Sequence, residues 1–322
     1  MNPNFFKYAT NELSQDAFFC WLIEWSLVDN KSINPTLHNA SLKFLNYVIP
    51  KEFSYNLIVN SCSIQMQKKN MDFIIILNSS IVIHFEDKIK SNTSTNQLSK
   101  YKETVATLFQ NHRLFHIYLK TDLVWPNEER LVLENGYKLI DLIAIERILE
   151  SDVSSDIYQN YVSNIKQRLN EYQAYRIISP KNWRYNQWLG FIYDLSKNTN
   201  YHNFDKHYVG EAFWFVFSWH KINNFGNSYV SFEIVNKKCA IKAHVFDNNT
   251  NKAAFLKYVK EKLFPYYKDY KTKLYKKTAK SMLVIEFFDF LVLENDLIDL
   301  EKTKEKLIDI RDIFDKTINY VG

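Results

Sequence analysis

The apolar positions in the first part of the chain follow a helical period and then a strand-like one. Apolar residues at helical spacing predict a buried amphipathic helix over residues 14–27, with Ser14 as its N-cap, and another over residues 38–48. Alternation predicts a strand over residues 55–67. Two apolar runs, 73–77 and 81–85, flank a turn cluster and predict a buried β-hairpin.

The same pattern continues with a helix over residues 97–110 and an apolar strand over 114–119. A strand, a helix and another strand in succession predict a crossover to a parallel neighbour. The predicted fold is therefore α/β, with a core of helix, three-stranded meander, helix and strand. A Ser179-Pro180 pair interrupts the helical pattern that follows, so a domain of residues 1–178 is expected to end there.

Residues 179–322 alternate helical and strand-like segments with turns between them, which is typical of an α+β domain. Strands are expected at 212–219, 228–235, 238–246 and 281–288, with a closing helix over 299–320. The aromatic cluster 213–219 is expected in the core. No catalytic constellation occurs here, so this accessory domain is expected to bind a substrate or a partner.

Composition excludes several classes of protein. With 322 residues, 46% of them hydrophobic, the chain can bury a large core. It has five glycines and no glycine-rich phosphate loop, which argues against a nucleotide cofactor. Three widely spaced cysteines, no secretory signal and no long apolar run indicate a cytoplasmic protein without a membrane partner. A homo-oligomer is not excluded.

The hairpin carries charged residues whose positions indicate a chemical role rather than simple exposure to solvent. His84, Glu86 and Lys88 share one face of the second strand, and Asp72 opens the first strand near the level of Glu86. Two close carboxylates repel each other, and a divalent cation such as Mg²⁺ would neutralise them. The alternative is a solvated edge-strand pair, Glu86 with Lys88, but the apolar flanks disfavour it.

Asp72, thirteen intervening residues and then Glu86-Asp87-Lys88 resemble the signature of the PD-(D/E)xK nuclease superfamily. Gln97 and Tyr101 form a Q-x-x-x-Y element similar to that of the RecB-like branch, and the whole segment is similar to an uncharacterised bacterial and phage family. The resemblance implies a restriction-endonuclease-like core and a metal-dependent deoxyribonuclease that hydrolyses phosphodiester bonds. It suggests a role in defence against foreign DNA or in DNA repair.

The resemblance also implies a set of site residues. Asp72, Glu86 and the main-chain carbonyl of Asp87 would hold Mg²⁺, with Mn²⁺ able to substitute, and Glu12 would add a further carboxylate. Lys88 would orient or deprotonate the attacking water, or offset charge on the phosphorus. Gln97 and Tyr101 would position the nucleic-acid backbone. Two positions depart from the family pattern: Asp87 stands where asparagine is frequent, and Met71 replaces the proline.

Other residues allow two interpretations. Asp16 is expected as a first-turn acid favoured by the helix dipole, with metal contact as the second choice, and His84 is expected to pack beside the site. A lysine-rich segment, 257–280, has aromatic residues between its lysines and would contact DNA or form a solvated amphipathic surface. The predicted nucleic-acid-binding lysines are Lys90, Lys100, Lys271, Lys273, Lys276 and Lys277. The rival function is a catalytically silent nuclease fold that binds a nucleic acid or a protein.

Overall fold

The structure is a computed structural model that describes residues 4–91, 93–197, 206–209, 212–235 and 237–319. The chain divides into two compact units, Met1–Asn170 and Glu171–Gly322. Within the described ranges, no helix combines the length and the apolar character that a bilayer crossing requires.

The first unit is a mixed α/β fold. Its helices are α1 (Glu12–Glu24), α2 (Pro35–Val48), α3 (Lys51–Ser54), α4 (Thr95–Leu108), α5 (Pro126–Glu134), α6 (Leu142–Leu149) and α7 (Asp156–Gln173), whose last residues belong to the second unit. Its strands are β1 (Cys62–Met66), β2 (Phe73–Leu77), β3 (Ile81–Lys88), β4 (Arg113–Lys120) and β5 (Lys138–Ile140).

These strands form one sheet in the order β1-β2-β3-β4-β5. The first three are an antiparallel meander, and β4 and β5 are added in parallel. The predicted order of helix, three strands, helix and strand is confirmed, and so is the α/β fold class. The parallel β3–β4 pair follows from the α4 crossover, since parallel neighbours need a long connection.

Strands β2 and β3 are apolar on both faces because helices cover both faces. On one side, the rings of Phe73 and Phe85 stack at 4.5 Å, and Phe44 of α2 lies 6.3 Å from Phe85. On the other side, Ile74 and Val82 join a buried cluster with residues of α4. The ends of these two strands are thereby fixed between two helical layers, which is what positions the acids of the candidate site.

Several predicted boundaries were wrong, and two of them have a clear local cause. Helix α1 begins at Glu12 rather than at residue 14, because Asn11 is the N-cap and its side chain accepts hydrogen bonds from the Ser14 N–H and hydroxyl. Strand β1 is shorter than the predicted 55–67. The side chain of Asn78 accepts from the N–H groups of Asn60 and Ser61, so this stretch is fastened to the hairpin turn before the strand begins.

The second unit contains an antiparallel sheet in the order β10-β11-β9-β8-β7-β6 and a separate two-stranded ribbon, β12-β13. Its helices are α8 (Tyr185–Lys197), α9 (Lys252–Leu263) and α10 (Leu300–Asn319). Its strands are β6 (Lys206–Val209), β7 (Ala212–Lys221), β8 (Ser228–Val235), β9 (Lys238–Val245), β10 (Thr272–Leu274), β11 (Ser281–Phe287), β12 (Leu293–Glu294) and β13 (Leu297–Ile298). Tyr320, the predicted end of the closing helix, lies outside the described residues.

The prediction that the aromatic cluster of β7 is core was wrong for one residue. Phe215 and Phe217 are buried, but Trp219 is 49% exposed. The pairing of β7 with β8 shifts between Val216 and Ser218, and this irregularity places Trp219 on the outer face of the sheet. The side chains at positions 213 and 214 lie outside the described part.

Candidate active site

The hairpin brings the predicted acids to one end of the sheet. Phe73 pairs with Phe85 in the antiparallel register, so Asp72 lies at the level of Glu86. The Asp87 N–H donates to Asp72 Oδ2 at 2.7 Å, which fixes the carboxylate of Asp72 against the end of β3. The sequence therefore placed these residues together correctly.

The ammonium group of Lys88 lies among three oxygen atoms. Lys88 Nζ is 2.5 Å from Glu86 Oε1 and 3.7 Å from Asp72 Oδ2, and it donates to the main-chain oxygen of Asp87 at 3.0 Å. Two carboxylates and one carbonyl thus converge on a single positive charge. Because one lysine compensates two acids, the cluster retains an excess of negative charge.

Burial makes that excess of negative charge costly, and the pKa values of the two acids are raised as a result. Glu86 is 1% exposed, and its pKa is raised to about 7 by burial and by the charge of Asp72, against the lowering effect of Lys88. Burial also raises the pKa of Asp72. Burial alone would lower the pKa of Lys88, but the adjacent carboxylates outweigh that effect and raise it. Glu86 Oε2 is buried without a hydrogen-bond partner.

Helix α4 supplies the next layer of contacts. Its N-cap, Ser94, accepts from the Gln97 N–H and so starts the helix just ahead of the Q-x-x-x-Y element. Gln97 Nε2 donates to Glu86 Oε1 at 2.7 Å and lies 3.5 Å from the hydroxyl of Tyr101. Tyr101 is buried with Val105 against the sheet. Gln97 therefore orients Glu86, and Tyr101 lies one helical turn behind it.

Glu12, the fourth predicted metal ligand, lies beside the cluster at the start of α1. Its Oε1 accepts hydrogen bonds from the Ile89 N–H at 3.2 Å and from the Ser91 hydroxyl at 2.8 Å. Its charge is among the smaller causes that raise the pKa of Glu86, after burial and the charge of Asp72. Glu12 thus ties α1 to the chain that leaves β3 and adds negative charge to the site.

The expectation that Asp16 is a first-turn acid favoured by the helix dipole was wrong. Asp16 is fully buried, and its pKa is raised to about 7 by burial and by the charge of Asp72, against the lowering effect of a side-chain hydrogen bond with Asp87. Helix α1 begins at Glu12, so Asp16 lies beyond the first turn. Two signals could have revealed it: Asp16 is four residues from Glu12 on the same helix face, and it shares the buried stripe of Phe19 and Ile23.

The contacts of the Asp87 side chain were also not predicted from the sequence. The side chain of Asp87 lies on the opposite face of β3 from that of Glu86. It accepts a hydrogen bond from Gln15 Nε2. Gln15 in turn accepts from the Thr121 hydroxyl at 2.6 Å, and Arg168 donates to the same hydroxyl at 3.1 Å. This chain of polar contacts anchors the end of β3 from α1, from the residue after β4 and from α7.

His84 packs below the acids, as expected. It is fully buried, its ring meets that of Tyr101 edge to face at 6.0 Å, and its Nδ1 lies 3.4 Å from Nδ1 of His116. Burial, and then the charge of His116, lower its pKa to about 3, so the ring is neutral at physiological pH.

The predicted nucleic-acid-binding lysines fall in both units. Lys90 and Lys100 are exposed on the first unit. In the second unit, Lys271 pairs with Asp289 at 3.7 Å, Lys273 lies 5.1 Å from the ring of Tyr275, and Lys276 and Lys277 are exposed. The lysine-rich segment 257–280 also contains a core residue, since Tyr267 is fully buried and donates to the main-chain oxygen of Ile310.

The donors around Lys88 fit a divalent cation. Across the described residues, no group of three or more His, Cys, Asp and Glu side chains is arranged to hold a metal ion. Two carboxylates and a main-chain carbonyl nevertheless converge on one cation, the lysine ammonium, and hard oxygen donors of this kind suit Mg²⁺, which uses few protein carboxylates. The unpartnered Glu86 Oε2 adds a buried acceptor.

Comparison with known families identifies the same region. The family model described as PD-(D/E)XK nuclease superfamily matches residues 4–178, more than half of the 322-residue chain. The match contains Glu12, the hairpin and the Q-x-x-x-Y element of α4. Nucleases of this superfamily generally use divalent metals. No curated protein and no solved structure matches the chain significantly.

Proposed function

The chain belongs to the PD-(D/E)XK nuclease superfamily, and we propose that it is a metal-dependent deoxyribonuclease that hydrolyses phosphodiester bonds. The observation that carries the proposal is the convergence of Asp72 Oδ2, Glu86 Oε1 and the Asp87 carbonyl on one positive charge. A structural ion pair would not need a second buried carboxylate, because each uncompensated buried acid costs free energy.

In this proposal, Asp72, Glu86 and the main-chain carbonyl of Asp87 would hold Mg²⁺, and Mn²⁺ would substitute for it. When bound, the divalent cation supplies the positive charge that polarises the scissile phosphate and makes a bound water more acidic. Glu12, whose Oε1 accepts hydrogen bonds from Ile89 and Ser91, would add a further carboxylate to this site.

Lys88 offsets the negative charge that grows on the phosphate during attack. Three roles are open to it from the sequence: orienting water, deprotonating water and stabilising charge. Its raised pKa keeps the ammonium form at neutral pH, which favours orientation and charge stabilisation over proton removal. Its place on the same face of β3 as Glu86 keeps the ammonium next to the ligand oxygens.

Gln97 holds Glu86 through Oε1, and we propose that Gln97 and Tyr101 also position the nucleic-acid backbone, with the exposed Lys90 and Lys100 near the ends of the same connection. This assignment follows the Q-x-x-x-Y element of the RecB-like branch. A role in defence against foreign DNA or in DNA repair is proposed on the same resemblance.

The proposal is tested by cleavage of supercoiled plasmid, single-stranded DNA and RNA, each with Mg²⁺, Mn²⁺ or EDTA. The wild-type chain is expected to cleave DNA in Mg²⁺ and Mn²⁺ and to be inactive in EDTA. Asp72→Ala and Lys88→Ala are expected to lose activity. Lys43→Ala is the matched control, since Lys43 is an exposed lysine of the same unit that contacts main-chain oxygens only.

Equal activity in wild type, Asp72→Ala and Lys88→Ala would overturn the proposed site, and so would cleavage that EDTA does not reduce. If no divalent ion supports cleavage of any substrate, the catalytically silent nuclease fold becomes the better account. Faster cleavage of RNA than of DNA would contradict the assigned substrate.

A further inference from the structure

The outer face of the C-terminal sheet carries a row of aromatic rings on its strands β7, β8 and the end of β9. The rings of Trp219 and Tyr229 lie 5.3 Å apart, those of Tyr229 and Phe246 5.9 Å apart, and His244 is parallel to Phe246 at 6.3 Å. We call these four residues the ring row. Trp219 is 49% and Phe246 53% exposed, so the row presents apolar ring surface to water.

The register of the strands explains why these rings point away from the core. Ser231 pairs with Trp219 on one side and with Lys242 on the other, and Tyr229 pairs with His244. The alternate residues, such as Phe232 and Ile241, are fully buried, and Phe232 packs near Phe314 of α10. One face of the sheet therefore forms the core, and the ring row lies on the other.

The charges on this outer face favour an anionic partner. Lys280 Nζ lies 5.7 Å from the centre of the Phe246 ring, and the exposed Lys221 pairs in register with Tyr229. The acid that β8 places on this face, Glu233, is buried and neutralised by Lys242 at 2.8 Å. On the neighbouring β11, Glu286 pairs with Lys238 at 3.2 Å.

We propose that the ring row, with Lys221 and Lys280, binds single-stranded nucleic acid. Unpaired bases stack on aromatic side chains, while lysines contact the phosphates. A duplex hides the faces of its bases, so it could use the lysines but not the rings. A protein partner is disfavoured because the acids on this face are neutralised and the exposed apolar surface consists of rings next to lysines.

The inference rests on the proposed function in one respect, namely that the partner is a nucleic acid. What it adds is that the second unit binds unpaired strands. It differs from the sequence prediction for Lys271, Lys273, Lys276 and Lys277, because the rings that carry it are on β7, β8 and the end of β9. The lysine-rich segment contributes Lys280 alone.

The test is fluorescence anisotropy of the full chain with labelled oligo-dT, oligo-U and a duplex of the same length, all in EDTA so that cleavage cannot intervene. The wild type is expected to bind the single strands more tightly than the duplex. Trp219→Ala and Phe246→Ala are each expected to weaken single-strand binding by about tenfold, and Trp219→Phe by less, because it keeps a ring. Comparison of oligo-dT with oligo-U distinguishes DNA from RNA.

Tyr266→Ala tests the rival location, since Tyr266 is a 61% exposed ring of the lysine-rich segment outside the ring row. It is expected to bind like wild type. Lys280→Gln tests the charges without touching the sheet, and it is expected to reduce the slope of log Kd against log salt by about 0.7. Melting curves of all variants identify any that fail to fold, and Lys280→Gln keeps the test decisive in that case.

Unchanged affinity in both ring variants would overturn the inference, as would a duplex that binds as tightly as the single strand. A loss of affinity in Tyr266→Ala but not in Trp219→Ala would assign binding to the lysine-rich segment instead. A ring variant that changes the molar mass by light scattering without changing affinity would show an interface with a second copy.

Ring-dependent binding without any cleavage would support this site while refuting the nuclease, whereas cleavage with ring-independent binding would do the reverse.

Discussion

Two buried lysines lie side by side at the ends of β3 and β4, and their surroundings differ. Lys88 and Lys120 are directly paired in the register of these parallel strands. Lys120 contacts both oxygens of Glu128 on α5, at 2.6 and 2.7 Å, and Tyr118 donates to the same carboxylate at 2.7 Å. Lys88 contacts one oxygen of Glu86 and lies near a second acid, Asp72.

The difference separates a structural ion pair from a cation site. At Lys120, the ammonium group is matched by the carboxylate of Glu128, and both carboxylate oxygens accept hydrogen bonds from it. At Lys88, one positive charge meets two acids with a third, Glu12, close by, and Glu86 Oε2 has no partner. A folded protein keeps such an excess of buried acid only at a cost in stability, and a second positive charge from solution would relieve it.

Cleavage rates should separate the two pairs most strongly. Glu86→Gln removes a proposed ligand while keeping the shape of the side chain, and its cleavage rate is expected to fall at least ~100-fold. Glu128→Gln makes the same chemical change at the structural pair and is expected to cleave at a rate near that of wild type at a temperature where it is folded. Plasmid cleavage in Mg²⁺ measures both, and equal losses would erase the distinction.

The free energy of unfolding should fall more in Glu128→Gln than in Glu86→Gln, the reverse of the order expected for the cleavage rate. Glu128→Gln leaves the buried Lys120 without its carboxylate partner and is expected to lower the free energy of unfolding by about 3 kcal/mol. Glu86→Gln removes one of two repelling acids, so in EDTA at pH 8 it is expected to unfold at the same or a higher denaturant concentration than wild type. Urea unfolding in EDTA gives both values. A larger loss in Glu86→Gln than in Glu128→Gln would contradict the comparison.

The pH dependence follows from the pKa of Glu86, raised from 4.5 to about 7 by burial and by Asp72. Between these values the folded chain holds a proton that the unfolded chain has released, so rising pH lowers the stability of the wild type. Glu86→Gln lacks this contribution. In EDTA, its stability relative to wild type is therefore expected to increase from pH 5 to pH 8.

The difference in stability between Glu86→Gln and wild type excludes the opposite pH dependence that two buried histidines contribute. Burial lowers the pKa of His84 to about 3 and that of His116 to about 4, and these groups destabilise the fold as the pH falls below their ordinary value of 6.5. Both proteins contain them, so their contributions cancel. Thermal melts at matched pH values measure the difference, and a flat profile would show that Glu86 is not strained by its surroundings.

The smallest losses of cleavage rate are expected at residues that support a proposed ligand without holding the ion. Gln97→Ala removes the hydrogen bond that orients Glu86 and is expected to reduce cleavage about tenfold. Tyr101→Phe removes a hydroxyl that lies 3.5 Å from Gln97 Nε2, at the limit of a hydrogen bond, and is expected to cost about threefold or less. Single-turnover kinetics of the two variants establish the order, and a larger loss in Tyr101→Phe would assign that hydroxyl a direct role.

The hairpin and its acids could be predicted from sequence because each depends on local pattern. Apolar residues on both faces of β2 and β3 mark strands covered on both sides. Asn78 and Ser79 adopt left-handed backbone at the tight turn between the strands, and a short turn fixes the register that brings Asp72 to the level of Glu86.

The remaining contacts could not be predicted because they join distant parts of the chain. Gln15 meets Asp87 and Thr121 from positions 72 and 106 residues away, and no local pattern specifies such a pairing. The partner of Lys120 is on α5, a helix the sequence analysis did not predict. Trp219 faces outward because the pairing of β7 with β8 is irregular, and periodicity alone assumes a regular strand.

Calorimetric titration with Mn²⁺ tests the central claim, that a divalent cation binds where Lys88 meets its three oxygens. Saturable binding is expected in wild type and Glu128→Gln, and loss of binding in Asp72→Ala and Glu86→Gln. Tighter binding is expected in Lys88→Met, because that variant removes the competing ammonium. Identical isotherms in wild type, Asp72→Ala and Glu86→Gln would contradict the central claim.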